Sequence, residues 1–234
     1  MSRIVTIIPA LNAAVRLPAT LQSLAEAERA GLSAGWILAD GGSSDSTARL
    51  ARRAGCAIVA GAKGRGAQLA AGGEAALARA GAGGWLLFLH ADTVLEPGWT
   101  GPVRAFMAAN ADRDRAGYFR FALDDASARA RRLEALVAWR CRTLALPYGD
   151  QGLLIPAAFY ARLGGYTPWP LFEDVDLVRR IGRARLKPLS PRAVTSADRF
   201  ARDGYLKRSA KNLTLLARYY CGDSPERLAR AYRK

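Results

Sequence analysis

Asp40 ends one apolar run, Trp36-Ile-Leu-Ala39, and Asp92 follows another, Trp85-Leu-Leu-Phe-Leu89, across His90 and Ala91. Short continuous apolar runs of this kind read as strands buried on both faces of a parallel sheet. In open α/β sheets, ligands sit just outside the carboxyl ends of such strands. Two acids at separate strand ends can therefore converge on one crevice. Mg²⁺ and Mn²⁺ take oxygen ligands, and Mg²⁺ is held by one or two carboxylates together with substrate phosphates. Either acid alone reads equally well as a turn residue. The pair points to a metal ligand at Asp92 and a phosphorylated ligand beside it.

Further candidates lie outside these two strands. Lys63-Gly-Arg-Gly66 stands just before a helix, where backbone N–H groups and two cations suit a diphosphate. It is neither a P-loop nor a dinucleotide fingerprint. Glu173, Asp174 and Asp176 crowd a helix start after Trp169-Pro-Leu-Phe172. Their plain role is to complement the helix dipole. In a partly apolar pocket, one of them could instead serve as a general base. His90 is the only histidine, and metal ligand, ribose contact and packed strand residue are all open to it. No Ser/His/Asp or Cys/His arrangement is offered, which leaves acid–base and metal-assisted transfer.

The elements that must position these residues alternate. Strands are expected at Ile4–Ile8, Trp36–Ala39, Cys56–Ala60 and Trp85–Leu89. Helices are expected between them, from Pro18 to about Arg29, Ser46 to about Ala54, and from the Lys63 loop to about Ala80. This pattern implies a mostly parallel α/β sheet with helices on both faces. After residue 100 the style becomes mixed. A helix is expected over Pro97–Ala109 and a strand over Gly117–Leu123. A long helix, Ala126 to about Leu146, carries Leu133, Leu136, Val137 and Trp139 as its apolar stripe. A short strand follows at Leu153–Ile155, and two amphipathic helices close the chain. The organisation expected is one domain: a regular α/β half over residues 1–99, a mixed half over 100–200, and basic helices over 201–234.

Length and composition set the outer bounds. A chain of 234 residues, half of them hydrophobic, can bury a full core. No apolar run approaches the roughly 20 residues needed to span a bilayer. The N-terminal run is too short for a secretory h-region, so a cytoplasmic protein is expected. Cys56, Cys141 and Cys221 are too scattered for a disulfide framework or a zinc site. The net charge is +15, and residues 179–234 supply +12 of it, 16 Lys or Arg against four acids. Such a basic surface favours anionic partners. No nucleic-acid-binding motif accompanies it. Tyr205, Leu206, Leu213, Leu215, Leu216, Tyr219 and Tyr220 alternate with Lys207, Arg208, Lys211 and Arg218. That mixture suits either packing on the domain or peripheral contact with an anionic membrane.

Taken together, Ile8-Pro-Ala-Leu-Asn12, Asp40-Gly-Gly-Ser-Ser-Asp-Ser-Thr47, Leu89-His-Ala-Asp92, Gly149-Asp-Gln-Gly152 and Phe172-Glu-Asp-Val-Asp-Leu177 resemble the motifs of family 2 glycosyltransferases, in order and spacing. The Lys-Gly-Arg-Gly-Ala-Gln segment and the His-Ala-Asp spelling are also similar to a bacterial arsenosugar-biosynthesis-type subgroup. The resemblance implies a GT-A fold, a nucleotide-sugar donor and an inverting transfer to an acceptor that is a small molecule or lipid-linked. It places Pro9, Asn12, Asp40, Lys63, Arg65, Gln68, His90 and Ala91 on the donor, with Asp40 at the base. It gives Asp92 the Mg²⁺ or Mn²⁺, and puts Asp150 and Gln151 on the acceptor side. Asp174, with Glu173 beside it, becomes the base. Two departures stand out: His90 replaces the first Asp of Asp-x-Asp, and Gly41 replaces the second Asp of Asp-Asp-Gly. The rival readings are a sugar-phosphate nucleotidyltransferase and an inactive nucleotide- or nucleic-acid-binding protein. Against the first, no glycine follows the opening strand.

Overall fold

The computed structural model describes residues 2–61, 63–81 and 83–233, with the side chains of Arg199, Leu206 and Arg233 outside that description. The chain runs β1 (Ile4–Ala10), α1 (Leu17–Arg29), β2 (Ser33–Asp40), α2 (Thr47–Arg53), β3 (Ala57–Ala60), α3 (Arg65–Ala80) and β4 (Trp85–Phe88). It continues through β5 (Thr93–Leu95), α4 (Thr100–Ala109), β6 (Ala116–Leu123), α5 (Ala128–Leu144), a 3-10 turn (Gly149–Gln151), β7 (Leu153–Pro156) and α6 (Ala157–Arg162). The remainder is α7 (Glu173–Ile181), a second 3-10 turn (Arg183–Arg185), β8 (Leu186–Thr195), α8 (Asp198–Asp203), α9 (Tyr205–Tyr220) and α10 (Pro225–Arg233).

Among the described residues, one eight-stranded sheet holds the strands, in the order β3-β2-β1-β4-β7-β6-β8-β5. The first four are parallel, as helical crossovers dictate. β7 then pairs antiparallel with both β4 and β6, β6 and β8 are parallel, and β5 closes the edge antiparallel to β8. Strand alternation sends Ile4 and Ile8 of β1 to one face and Val5 and Ile7 to the other. The first face is covered by α1 and α4 through Leu17, Leu21, Leu24 and Val103. The second packs on α3, α5, α6, α7 and α9 through residues such as Leu69, Val137, Phe159, Val175 and Leu216.

Three expectations need correction. β8, with Pro188 and Pro191 in its sequence, was not foreseen as a strand. Its register shifts between Tyr118 and Arg120: Pro188 is the last paired residue before the shift, opposite Tyr118, and Pro191 falls in the bulge, where a ladder donor is not required. The apolar stripe of α5 is also different. Val137 is buried and Leu133 half-buried, but Leu136 and Trp139 are 61% and 55% exposed. The buried side is Ala130, Val137 and Cys141. In α9, Leu215 and Leu216 are buried whereas Leu213 and Tyr220 face out. Among the described residues, no helix is long and apolar enough to cross a membrane.

Candidate active site

Asp40 closes β2 and is buried. Its carboxylate folds back over the turn, where Ser43 N donates to Oδ1 at 3.1 Å and Ser43 Oγ donates at 2.5 Å. This Asx-type turn is the local reason for Asp-x-x-Ser. Asn12, in the left-handed region at φ 50°, ties the loop after β1 to the same turn. Its N donates to Ser43 Oγ at 2.9 Å, and its Oδ1 accepts from Ser44 N at 2.9 Å. Asp45 accepts from Thr47 N at 2.9 Å, which anchors the start of α2. The two loops thus form one rigid lip beside Asp40.

Gln68 and Pro9 do not belong to that lip. Gln68 is buried on α3, and its Nε2 donates to Ala10 O at 2.6 Å and to Ala39 O at 2.9 Å. It fastens the ends of β1 and β2 instead of facing a donor. A Cβ on Gly41 would stand 2.9 Å from that same Nε2. The glycine at this position and the glutamine on α3 are therefore one packing solution. Pro9 lies buried inside β1, paired with Ala39.

At the end of β4, Leu89 N donates to Ile7 O, and the chain then turns through His90, Ala91 and Asp92. Ala91 is buried, its carbonyl accepting from Thr20 Oγ1 at 2.9 Å. His90 and Asp92 are half-buried. A methyl group on Gly149 would come within 2.9 Å of His90 Nε2 and 3.4 Å of Asp174 Oδ2. The ends of β4, the turn before β7 and the start of α7 therefore meet at a glycine. Asp174 is held there from two sides: Gly149 N donates to Oδ2 and Val175 N to Oδ1, each at 2.8 Å.

Glu173 is fully buried, so it does not reach an acceptor. Its Oε1 accepts from Arg65 Nε, and Arg65 Nη2 is 3.9 Å from Asp174 Oδ2. Burial opposes the Arg65 charge, but Glu173 and Asp174 outweigh it and hold the guanidinium protonated. Burial raises the pKa of Glu173 while Arg65 pulls it down. Arg65, the first residue of α3, thus crosses to α7. Lys63 is exposed on the loop before it.

Asp150 sits between these groups. Burial, with help from Asp174 and Asp92, pushes its carboxyl up to about 6 against the pull of Arg140 and Arg65. Its Oδ1 is buried without a hydrogen-bond partner among the described residues. Gln151 is buried at 2% exposure and does not face an acceptor. Its Nε2 donates to Phe119 O, and its Oε1 accepts from Tyr148 N, so it fixes the turn that carries Asp150. Arg140, 3.5 Å above the Tyr148 ring, and Ser43 were not foreseen. Ser43 was signalled by its place in the Asx turn. Arg140, within a long arginine-rich helix, had no distinguishing mark.

The Gly149 turn thus brings Asp92, Asp150 and Asp174 together with Arg65, and the polar lip around Asp40 stands at the ends of β1 and β2, the strands that precede β4 in the sheet order. Among the described residues, no group of three His, Cys, Asp or Glu is arranged to hold a metal ion unaided. One-carboxylate attachment completed by ligand oxygens is the geometry left open.

Comparison with known proteins decides the family: Glycosyl transferase family 2 matches residues 5–147, more than half of the chain. The chain belongs to family 2 of the glycosyltransferases. Residues 1–349 of S. aureus TarS superpose on this glycosyltransferase chain with a TM-score of 0.61 at 13% identity, covering 83% of this chain and 60% of that one. Against TarS at greater length the cover falls to 38% of that chain. Glucosyl-3-phosphoglycerate synthase from Mycobacterium tuberculosis, in complex with Mn²⁺, UDP and glucosyl-3-phosphoglycerate, gives a TM-score of 0.54 at 17% identity, with 83% and 71% covered. At such identities the likeness is one of fold. It bears out the expected GT-A architecture of the family 2 glycosyltransferase. No curated protein sequence matches the chain.

Proposed function

We propose that the chain moves a sugar from a nucleotide-sugar donor to an acceptor hydroxyl with inversion at the anomeric carbon. Asp174 is the general base in this reading, and Asp92 the ligand of a divalent Mg²⁺ or Mn²⁺ ion. The observation that carries it is the clasp on Asp174. Two backbone N–H groups fix the buried carboxylate in one orientation, one on each oxygen. A base held in one orientation is what a direct displacement needs. Asp174 takes the proton of the acceptor hydroxyl as the oxygen bonds to the anomeric carbon, and the bond to the donor diphosphate breaks.

The donor side is supported by the rigid lip at Asn12, Asp40 and Ser43, with Asp40 facing the base. Lys63 supplies an exposed cation for the diphosphate. A metal on Asp92 would neutralise charge on the leaving diphosphate, and the single oxygen ligand suits Mg²⁺ or Mn²⁺ more than zinc. UDP and UDP-glucose complexes of the mycobacterial synthase, formed with Mn²⁺, make UDP-glucose the first donor to test.

Asp174→Asn is isosteric and removes the base, its amide oxygen keeping one of the two backbone donors. Transfer should fall by on the order of 10²–10⁴-fold, while the rise in Tm on adding donor and Mn²⁺ persists. Retained turnover would remove Asp174 from the role. A product with the donor's own anomeric configuration, read by NMR, would contradict inversion.

A further inference from the structure

Among the described residues, seven large apolar side chains are exposed, and five of them lie on two helices. Leu136, Trp139 and Leu144 are on α5, and Leu213 and Tyr220 are on α9. These helices touch each other. On α5, Arg129, Arg132, Leu136 and Trp139 follow one another by three or four residues, so they share the face opposite buried Ala130 and Val137. On α9, Leu213 and Tyr220, seven residues apart, share an exposed stripe opposite buried Leu215 and beside buried Leu216.

We infer that the exposed face of α5 and α9 docks on an anionic lipid bilayer. An amphipathic surface of aromatic and aliphatic side chains bordered by arginine and lysine is what the headgroup boundary of such a bilayer accepts. Trp139 and Tyr220 are the residue types that settle at that depth. Charge selects the occupant. Arg129, Arg132, Arg142 and Lys207 are exposed here, and residues 179–234 carry +12. A second copy would bring the same cations face to face across a two-fold interface. The face also borders the acceptor side. The Tyr220 ring packs on Tyr219 at 5.7 Å, and Tyr219 on Phe172 at 5.2 Å, directly before Glu173 and Asp174. Arg179 spans the Tyr219 and Tyr220 rings at 5.7 and 5.2 Å. An acceptor held at the lipid surface follows from this placement, and that consequence rests on the glycosyl-transfer reading. The docking itself does not.

The test is co-sedimentation of the full chain with vesicles of phosphatidylcholine alone, or with about 30% phosphatidylglycerol, at low and high salt. Binding is expected with phosphatidylglycerol and at least about tenfold less without it or at high salt. Leu136→Glu combined with Trp139→Glu should weaken binding at least about tenfold without altering Tm, because both side chains already face solvent. Fluorescence quenching by brominated lipid should be lost in Trp139→Phe. No sedimentation with phosphatidylglycerol vesicles would overturn the proposal, as would equal binding by the double variant. A concentration-dependent dimer that the double variant abolishes would assign the face to a second copy and overturn it too. Tm measured with UDP-glucose and Mn²⁺ reports on the donor site separately, so a failure there bears on glycosyl transfer and not on docking.

Discussion

At the residue scale, three carboxylates share one crevice and differ in what surrounds them. Asp174 is tied by two backbone donors, whereas Asp150 keeps one buried oxygen without a hydrogen-bond partner among the described residues. Burial and the neighbouring acids lift Asp150 to about 6, above its ordinary value of 3.8. Between those two pH values the folded chain holds a proton that the unfolded chain has released. Stability therefore falls as pH rises across that window. Asp150→Asn removes this dependence. Without divalent metal, urea denaturation should find the variant more stable than the parent at pH 8, by about 1–2 kcal/mol after solvent screening, with the gain gone near pH 4. A gain independent of pH would mean that Asp150 ionises normally.

The same scale shows why the site was only partly legible. Asp40, Asp92 and Asp174 announced themselves by standing at the ends of apolar runs or at a helix start. Gln68, Gln151 and Glu173 stand in the same motifs, yet their side chains turn inward, onto Ala39 and Ala10, Phe119, and Arg65. A polar residue in a motif can touch ligand or hold backbone. Only the packing of another element, as with Gln68 against Gly41, decides which.

At the element scale, the parallel half was readable because β1, β2 and β4 are buried on both faces and spell continuous apolar runs. β8 was not, since two prolines argue against a strand, yet Pro188 sits at the edge of the bulge opposite β6 and Pro191 inside it. α5 was misread in phase. Leu133, Leu136 and Val137 are all apolar, and periodicity alone cannot say that the helix buries Ala130, Val137 and Cys141 while leaving Leu136 and Trp139 outside. The two sides should separate cleanly in mutation. Val137→Ala opens space in the core on the side of α5 that buries Ala130 and Cys141 and should cost about 1–3 kcal/mol. Leu136→Ala should stay within about 0.5 kcal/mol of the parent. Equal losses in thermal denaturation would return Leu136 to the core.

At the scale of the whole molecule, the crevice is a junction between α3, which follows the parallel strands, and α7, which follows the antiparallel ones. Arg65 and Glu173 join them across it. Glu173 is wholly buried and Arg65 about 39% exposed, so removing one partner is unequal to removing both. Arg65→Met leaves a carboxylate buried without its cation and should cost about 3 kcal/mol, at the lower end of the range for a broken buried pair because Arg65 is partly wet. Glu173→Gln alone strands a guanidinium that can turn to solvent, and should cost less. Joining the two changes should recover much of the Arg65→Met loss, since no buried charge then remains. A double-mutant cycle in urea is therefore expected to give a coupling above about 1 kcal/mol. Strict additivity would mean that α3 and α7 are held together by their apolar contacts and that the ion pair only decorates the junction. With coupling present, Arg65→Met should also loosen Asp174, whose Oδ2 lies 3.9 Å from the same guanidinium. Turnover would then fall further than the stability loss alone explains, and the conservative Arg65→Lys should restore part of it.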